Sequence, residues 1–246
     1  MEMLISALST FELLAWNPPG WGANLMGGLA NSVQIALGAY GLGLLIGILG
    51  AYGKLYGWLI IRDLLAVYTT IVRAVPELIL ILILYYAATQ ALNEVLNSMG
   101  FARIQISALA AGIGVLGVVQ GAYSTEVLRG AILAVPTGQV EAARAMGMTP
   151  LMLARRITLP AMLGNALPGL ANLWLIATKD TALLAVVGFG ELTLQTRQAA
   201  GSTKAYFTFF MAAGAIYLVL TLLSGQVFKR IERWARRGEP DVRGQG

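Results

Sequence analysis

The sequence predicts an all-α integral membrane protein with five transmembrane helices, and three observations carry that expectation. Of its 246 residues 57% are apolar and only 12% charged, with a mean hydropathy of +0.72. A soluble domain carries about twice that charge fraction. Five stretches are apolar over a length that crosses a bilayer, and the Lys and Arg residues concentrate in alternate connections between them. The chain has no Cys and no His, which removes disulfides, thiolate and imidazole chemistry and Cys-ligated zinc. A net charge of +5 in such a chain reflects basic loops at the membrane surface rather than nucleic-acid binding.

Residues 1–23 form a segment apart, on the periplasmic side in the orientation derived below. No Lys or Arg precedes its apolar part and Glu2 and Glu12 lie within it, so it makes a poor secretory signal peptide. Leu4, Leu8, Phe11 and Ala15 recur at helical spacing, and Trp16 and Trp21 flank Pro18-Pro19. That pattern predicts a short interfacial helix and a turn. The transmembrane domain is expected over 24–228. Its first span, 24–52, contains Gly43-x-x-x-Gly47, small residues at the spacing that lets another helix approach. A half-polar stretch up to Arg73 follows.

The second span is expected over 74–92 and the third over 106–127. The segment from Arg129 to Leu159 is too charged for lipid. The fourth span, 160–187, is interrupted by Lys179-Asp180, and the fifth, 205–228, runs into a basic tail over 229–246. Placing the C-terminus in the cytoplasm puts thirteen basic residues inside, among them Lys54, Arg62, Arg73, Arg129, Arg144 and Arg236. Only Arg103, Arg197 and Lys204 then lie outside. The N-terminus is therefore expected outside the cytoplasm.

The polar segment VPTGQVEAARAMGMTPLMLARRITLP reads as helix–turn–helix. Thr137 is placed to cap the first short helix with Glu141 in its first turn. Gly147 suits the left-handed residue that ends it. Thr149-Pro150 then supplies a cap and a first helical residue for a second helix, which runs to about Thr158 before Leu159-Pro160 enters the membrane. Val140, Ala143 and Met146 form an apolar ridge on the first helix, and a ridge in the water phase needs a partner.

Glu141-Ala142-Ala143, Gly147, Ile157 and Leu159-Pro160, at these spacings, resemble the EAA coupling-loop signature of permease subunits in binding-protein-dependent ABC importers. Tyr68 to Leu78 is similar to the Arg-Gly-x-Pro segment of polar amino-acid permeases, with Ala74 where those have Gly. Gly121-Ala122-Tyr123-Ser124-Thr125-Glu126-Val127-Leu128-Arg129-Gly130, Leu167-Pro168-Gly169, Asn172-x-Trp174 and Lys179-Asp180-Thr181 also match their motifs. Within that group the pattern looks most like the Q-type subunits of histidine/lysine/arginine/ornithine permeases, with opine (octopine, nopaline) permeases close behind.

The resemblance implies the type I ABC importer (MetI-like) permease fold in a bacterial inner membrane. It implies a second homologous permease subunit as heterodimer partner, two ATPase subunits docked on loop 137–160, a periplasmic substrate-binding protein, and surrounding membrane lipid. Cofactors are none for this chain, with ATP and Mg on the ATPase. Gly53-Lys54 lacks the upstream Gly and the Ser/Thr of a phosphate loop, so the chain is expected to be a non-catalytic permease subunit. The cargo implied is a basic amino acid, with opines or glutamine-type amino acids as the alternative.

Charged groups inside spans cost about 2.5–3.5 kcal/mol each, which makes them candidates for the substrate path. Tyr123, Glu126 and Gly130 share a helix face, and Asn172 lies two turns from Asp180 on another. Thr70, Tyr123, Glu126, Asn172 and Asp180 are therefore the candidate path residues. Arg73, Pro76, Glu77, Arg129 and Lys179 are candidates for gate and structural roles. Glu126 has a second reading as a pair with Arg129, and Arg73 one as a pair with Glu77. Tyr85 and Tyr86 are expected to face lipid or an interface. A secondary transporter would show repeats, and a membrane hydrolase a nucleophile setting, neither of which the residues offer.

Overall fold

The computed structural model describes residues 12–102 and 107–235, and it is helical throughout, without strands among the described residues. Five helices there are long and apolar enough to cross a membrane. Helix α1, Gly22–Tyr56, is the first. The stretch before it turns back through Asn17 and Gly20, while Leu4, Leu8 and Phe11 lie outside the described residues.

The half-polar stretch is itself a helix, α2, Leu59–Ala74, too short to be a span. It ends because Pro76 forces Val75 into extended backbone, and α3, Glu77–Ser98, starts afresh after it. The second span therefore begins three residues later than its composition predicted. A π-turn over Leu84–Ala88 lies within α3. Tyr85 packs edge-on against Phe189 at 5.5 Å, so only Tyr86 keeps the outward position expected of both.

Ser107 caps α4, Ala108–Leu133, its side chain accepting from the Ala110 N–H at 3.2 Å. The expected start at 106 falls on a residue outside the described set. The helix runs on to Leu133, so Arg129 belongs to the span and not to the loop. Helix α5, Thr137–Ala145, is followed by one long helix, α6, Pro150–Val187. The expected entry at Leu159-Pro160 is absent as a break: a π-turn over Ala154–Thr158 carries the winding through, and Pro160 follows directly on that turn inside the continuous helix. Lys179-Asp180 does not interrupt α6 either. It marks the point where α-helix tightens into a 3-10 segment, Thr181–Val187.

Gly188 ends that segment at φ +86°, and α7, Leu192–Thr203, follows. Its polar composition reads as loop, which is why the sequence did not predict it. The last helix, α8, Tyr206–Ala235, continues without a break into the start of the basic tail. Arg236, Arg237 and Arg243 lie outside the described residues.

The most intimate packing is α1 against α4. Gly43 and Gly47 face Gln120 and Ser124, Gly50 faces Thr125, and Gly117 and Gly121 of α4 receive Leu42 and Ile46 in return. A Cβ on Gly47 would stand 2.9 Å from the Ser124 carbonyl carbon, a backbone atom that cannot yield. Gly47→Val is therefore expected to cost roughly 1–3 kcal/mol and to lower the yield of assembled complex on size-exclusion chromatography. Normal yield would show that α1 and α4 can part. Helix α6 completes the core through Met162, Ala166, Leu170 and Leu173. Tyr40 Oη donates to the Leu170 carbonyl at 3.1 Å and Gln120 Nε2 to the Leu173 carbonyl at 2.8 Å. Buried donors thus end on backbone oxygens where water is absent.

Candidate functional site

The loop between α4 and α6 comes first. Pro136 occupies the cap position of α5, and Thr137 lies inside the helix without a capping bond. Glu141 consequently sits beyond the first turn, exposed, away from the positive helix end where it was expected. Gly147 has φ +76°. The Gly147 N–H donates to the Arg144 carbonyl at 2.9 Å and the Met148 N–H to the Ala143 carbonyl at 3.1 Å, the paired bonds of a Schellman ending. Thr149 then caps α6, accepting from the Met152 N–H at 3.3 Å, with Pro150 in the first turn.

The expected apolar ridge is split. Ala143 is 3% exposed, and Val140 packs against the core cluster that α1, α4 and α6 form. Met146 stands out at 79%, and so does Leu151 beyond the turn. Ala142, Leu159 and Pro160 are exposed and Ile157 half-buried. The outward apolar pair of the loop is Met146 with Leu151.

The second constellation lies where α2 breaks into α3. Glu77, the first residue of α3, accepts a hydrogen bond from Tyr123 Oη of α4 at 3.3 Å. The Asp180 carboxyl, at the end of the α-helical part of α6, lies within hydrogen-bonding reach of Glu77. Two carboxyls and a phenol from three helices thus lie together, with Arg73 and Lys179 as neighbouring charges. The Arg73–Glu77 pair is not formed, because the break at Val75-Pro76 destroys the four-residue helical register. Thr70 and Asn172 are exposed and not hydrogen-bonded to the acidic pair.

Glu126 stands elsewhere. Its Oε1 accepts from Lys54 Nζ at 2.5 Å and its Oε2 from Arg129 Nη2 at 2.9 Å and Nε at 3.1 Å. Lys54 also donates to Thr69 Oγ1 at 2.9 Å, so one ammonium joins α1, α2 and α4. Both carboxylate oxygens being taken, Glu126 does not offer the free anion expected of it, and Gly130 faces open space. An acid inside an apolar helix signals a partner. The Arg129 partner is the second reading the sequence offered and it is formed, whereas Lys54, 72 residues away, could not be read.

Sequence reasoning missed Glu191 altogether. It is fully buried and caps α7, with Oε1 accepting from the Leu194 N–H and Oε2 from the Thr193 N–H, both at 2.7 Å. Tyr217 Oη of α8 donates to Oε2 at 3.2 Å and Ser32 Oγ of α1 at 3.4 Å. The signal available was Gly190-Glu191-Leu192-Thr193, a helix start after a glycine. No group of three or more metal-ligating side chains occurs among the described residues.

Comparison with known proteins agrees with this architecture. The family model described as "Binding-protein-dependent transport system inner membrane component" matches residues 43–237. The nopaline transport system permease protein NocQ of Agrobacterium fabrum is 41% identical over 228 residues, 92% of this chain and 97% of its own. The histidine/lysine/arginine/ornithine transport system permease protein HisQ of Escherichia coli is 39% identical over 214 residues, 87% of this chain and 94% of its own. A crystal structure of an amino acid ABC transporter with histidines has a TM-score of 0.74 at 30% identity, covering 87% of this chain and 94% of that one. The all-α, five-span MetI-like fold expected from the motifs is the one found, and the ATPase of such transporters is a separate subunit. The chain belongs to the binding-protein-dependent transport system inner membrane component family, as a membrane-embedded ABC importer permease subunit for amino acids.

Proposed function

We propose that this subunit imports amino acids with a cationic side chain, holding the cation between Glu77 and Asp180 against the Tyr123 ring. The observation that carries this reading is the meeting of two carboxyls from different helices beside a phenol. A guanidinium presents a planar fork of donors that suits carboxylates, and its face suits an aromatic wall. Thr70 and Asn172 are available for the rest of the substrate. Lys54, Glu126 and Arg129 act as a structural node, and Pro76 sets the break that delivers Glu77.

The excess of basic residues at the loop end supports a cytoplasmic C-terminus and a periplasmic N-terminus. In that orientation Met146 and Leu151 face a partner ATPase, which holds ATP and Mg. Glu141, Ala142, Ala143, Gly147, Ile157, Leu159 and Pro160 form the coupling loop. A second permease subunit, a second ATPase and a periplasmic binding protein complete the importer, and this chain hydrolyses nothing itself.

Opines are the second reading. Octopine and nopaline retain the arginine guanidinium and add carboxylate, and Arg73 and Lys179, beside the acidic pair, form no ion pair among the described residues. The test is ATP-driven uptake of labelled arginine and histidine into vesicles holding the reconstituted complex, with octopine and glutamine as competitors. Arginine and histidine uptake that glutamine does not suppress is the expected result. Uptake suppressed by octopine alone moves the cargo to opines. No uptake of arginine, histidine or labelled octopine by a complex that hydrolyses ATP overturns both.

A further inference from the structure

Two adjoining cavities, of about 470 and 270 Å³, lie between the loop 137–160 and the ends of the spans, and Met146 and Leu151 line neither. The ends of α1 and α4, helix α5 and the start of α6 wall the larger one. It falls within the range of about 300–1,000 Å³ that small-molecule sites occupy. Tyr56, Arg144 and Thr158 are shared between the two.

Helix α5 gives the larger cavity two opposite charges, Glu141 and Arg144, three residues apart. At that spacing a carboxylate and a guanidinium ordinarily meet. Here they form no ion pair with each other, and neither forms one with any other side chain among the described residues. An acid and a base that line one cavity and stay unspent suit a ligand carrying both signs. In the smaller cavity Arg144 stands with the hydroxyl-bearing Tyr52, Tyr56 and Thr158 and, among the described residues, with no acid.

The position narrows the ligand further. Helix α1 ends at Tyr56, Trp58 beyond it is 84% exposed, and Leu133 at the end of α4 is exposed as well. Arg155 and Arg156 stand out on the π-turn of α6. Exposed aromatic and basic residues at the ends of spans mark the headgroup layer of a bilayer.

We infer that these cavities hold the headgroup of a phospholipid bearing both a phosphate and an ammonium, of the phosphatidylethanolamine type. The phosphate meets Arg144, the ammonium meets Glu141, and the chains leave past Leu133. Charge complementarity selects this occupant, because a purely anionic headgroup leaves the Glu141 carboxylate facing it without a cation. The site does not depend on the cargo or on the acidic pair. Its assignment to the inner leaflet follows from the orientation proposed above.

The test uses the full complex in proteoliposomes containing a phosphatidylethanolamine with a diazirine in its acyl chain, reading crosslinks to residues 132–158 of this chain. Unlabelled phosphatidylethanolamine is expected to suppress that label more than phosphatidylglycerol does. Arg144→Gln should lower the label about fivefold and Arg144→Lys should keep most of it. Glu141→Gln should abolish the preference for phosphatidylethanolamine. Label unchanged by Arg144→Gln, or phosphatidylglycerol competing equally in the wild type, overturns the assignment. So does label that develops only after the ATPase is stripped, which gives the cavities to the ATPase. If Arg144→Gln fails to assemble, the competition in the wild type decides.

Discussion

Replacing Gly147 with valine is expected to abolish uptake while the chain still inserts and is recovered from membranes at normal yield. The space around Gly147 is open, so the effect is not steric crowding by neighbours. It comes from φ +76°, where a β-branched residue is strained by roughly 1–3 kcal/mol. The chain escapes that strain by leaving the left-handed region, which breaks the bonds from Gly147 to Arg144 and from Met148 to Ala143. Met146 and Leu151, the outward apolar residues on either side of the turn, then lose their common presentation. Gly147→Asn separates strain from mere substitution, because Asn tolerates this conformation. It should retain most of the uptake. Uptake at the normal rate by Gly147→Val would show that the loop does not couple.

Glu126→Gln is expected to destabilise the assembled complex by about 2–3 kcal/mol, read as a fall in its thermal midpoint in detergent. The carboxylate is the shared anion of two cations, and its replacement by a neutral amide leaves Lys54, 15% exposed, and Arg129 with one acceptor oxygen between them and no counter-charge. Breaking a fully buried pair costs more, roughly 3–5 kcal/mol, but residual exposure of the side chains softens the loss. Combining Lys54→Glu with Glu126→Lys should recover part of the stability of either change alone, since Arg129 and Thr69 were arranged for the original signs. If Glu126→Gln keeps full thermal stability and loses uptake alone, Glu126 belongs to the substrate path after all.

These two sites show what kind of information the chain carries locally. Gly147, Thr149 and Pro150 were legible because a turn is specified by residues adjacent in sequence. The same locality explains Gly43 and Gly47, whose smallness marks a close approach without saying which helix approaches. The second span was misplaced by three residues because hydropathy does not register the break that Pro76 imposes on Val75. Helix α7 was missed because its residues are polar, and its support comes from Leu25, Phe209 and Ala213 at distant points of the chain.

By itself the sequence determined the membrane class, the number of spans, and the loop with its glycine turn. All of these follow from composition and from periodicity within one segment. Only the tertiary structure decided that Glu77 leaves Arg73 for Tyr123 and Asp180, that Glu126 belongs to Lys54, and that Glu191 is buried at the junction of three helices. In an apolar interior every charged or polar group must find a partner, but that partner can lie on any helix that packing brings near. The need for a partner is written in the residue, and its identity is written in the fold.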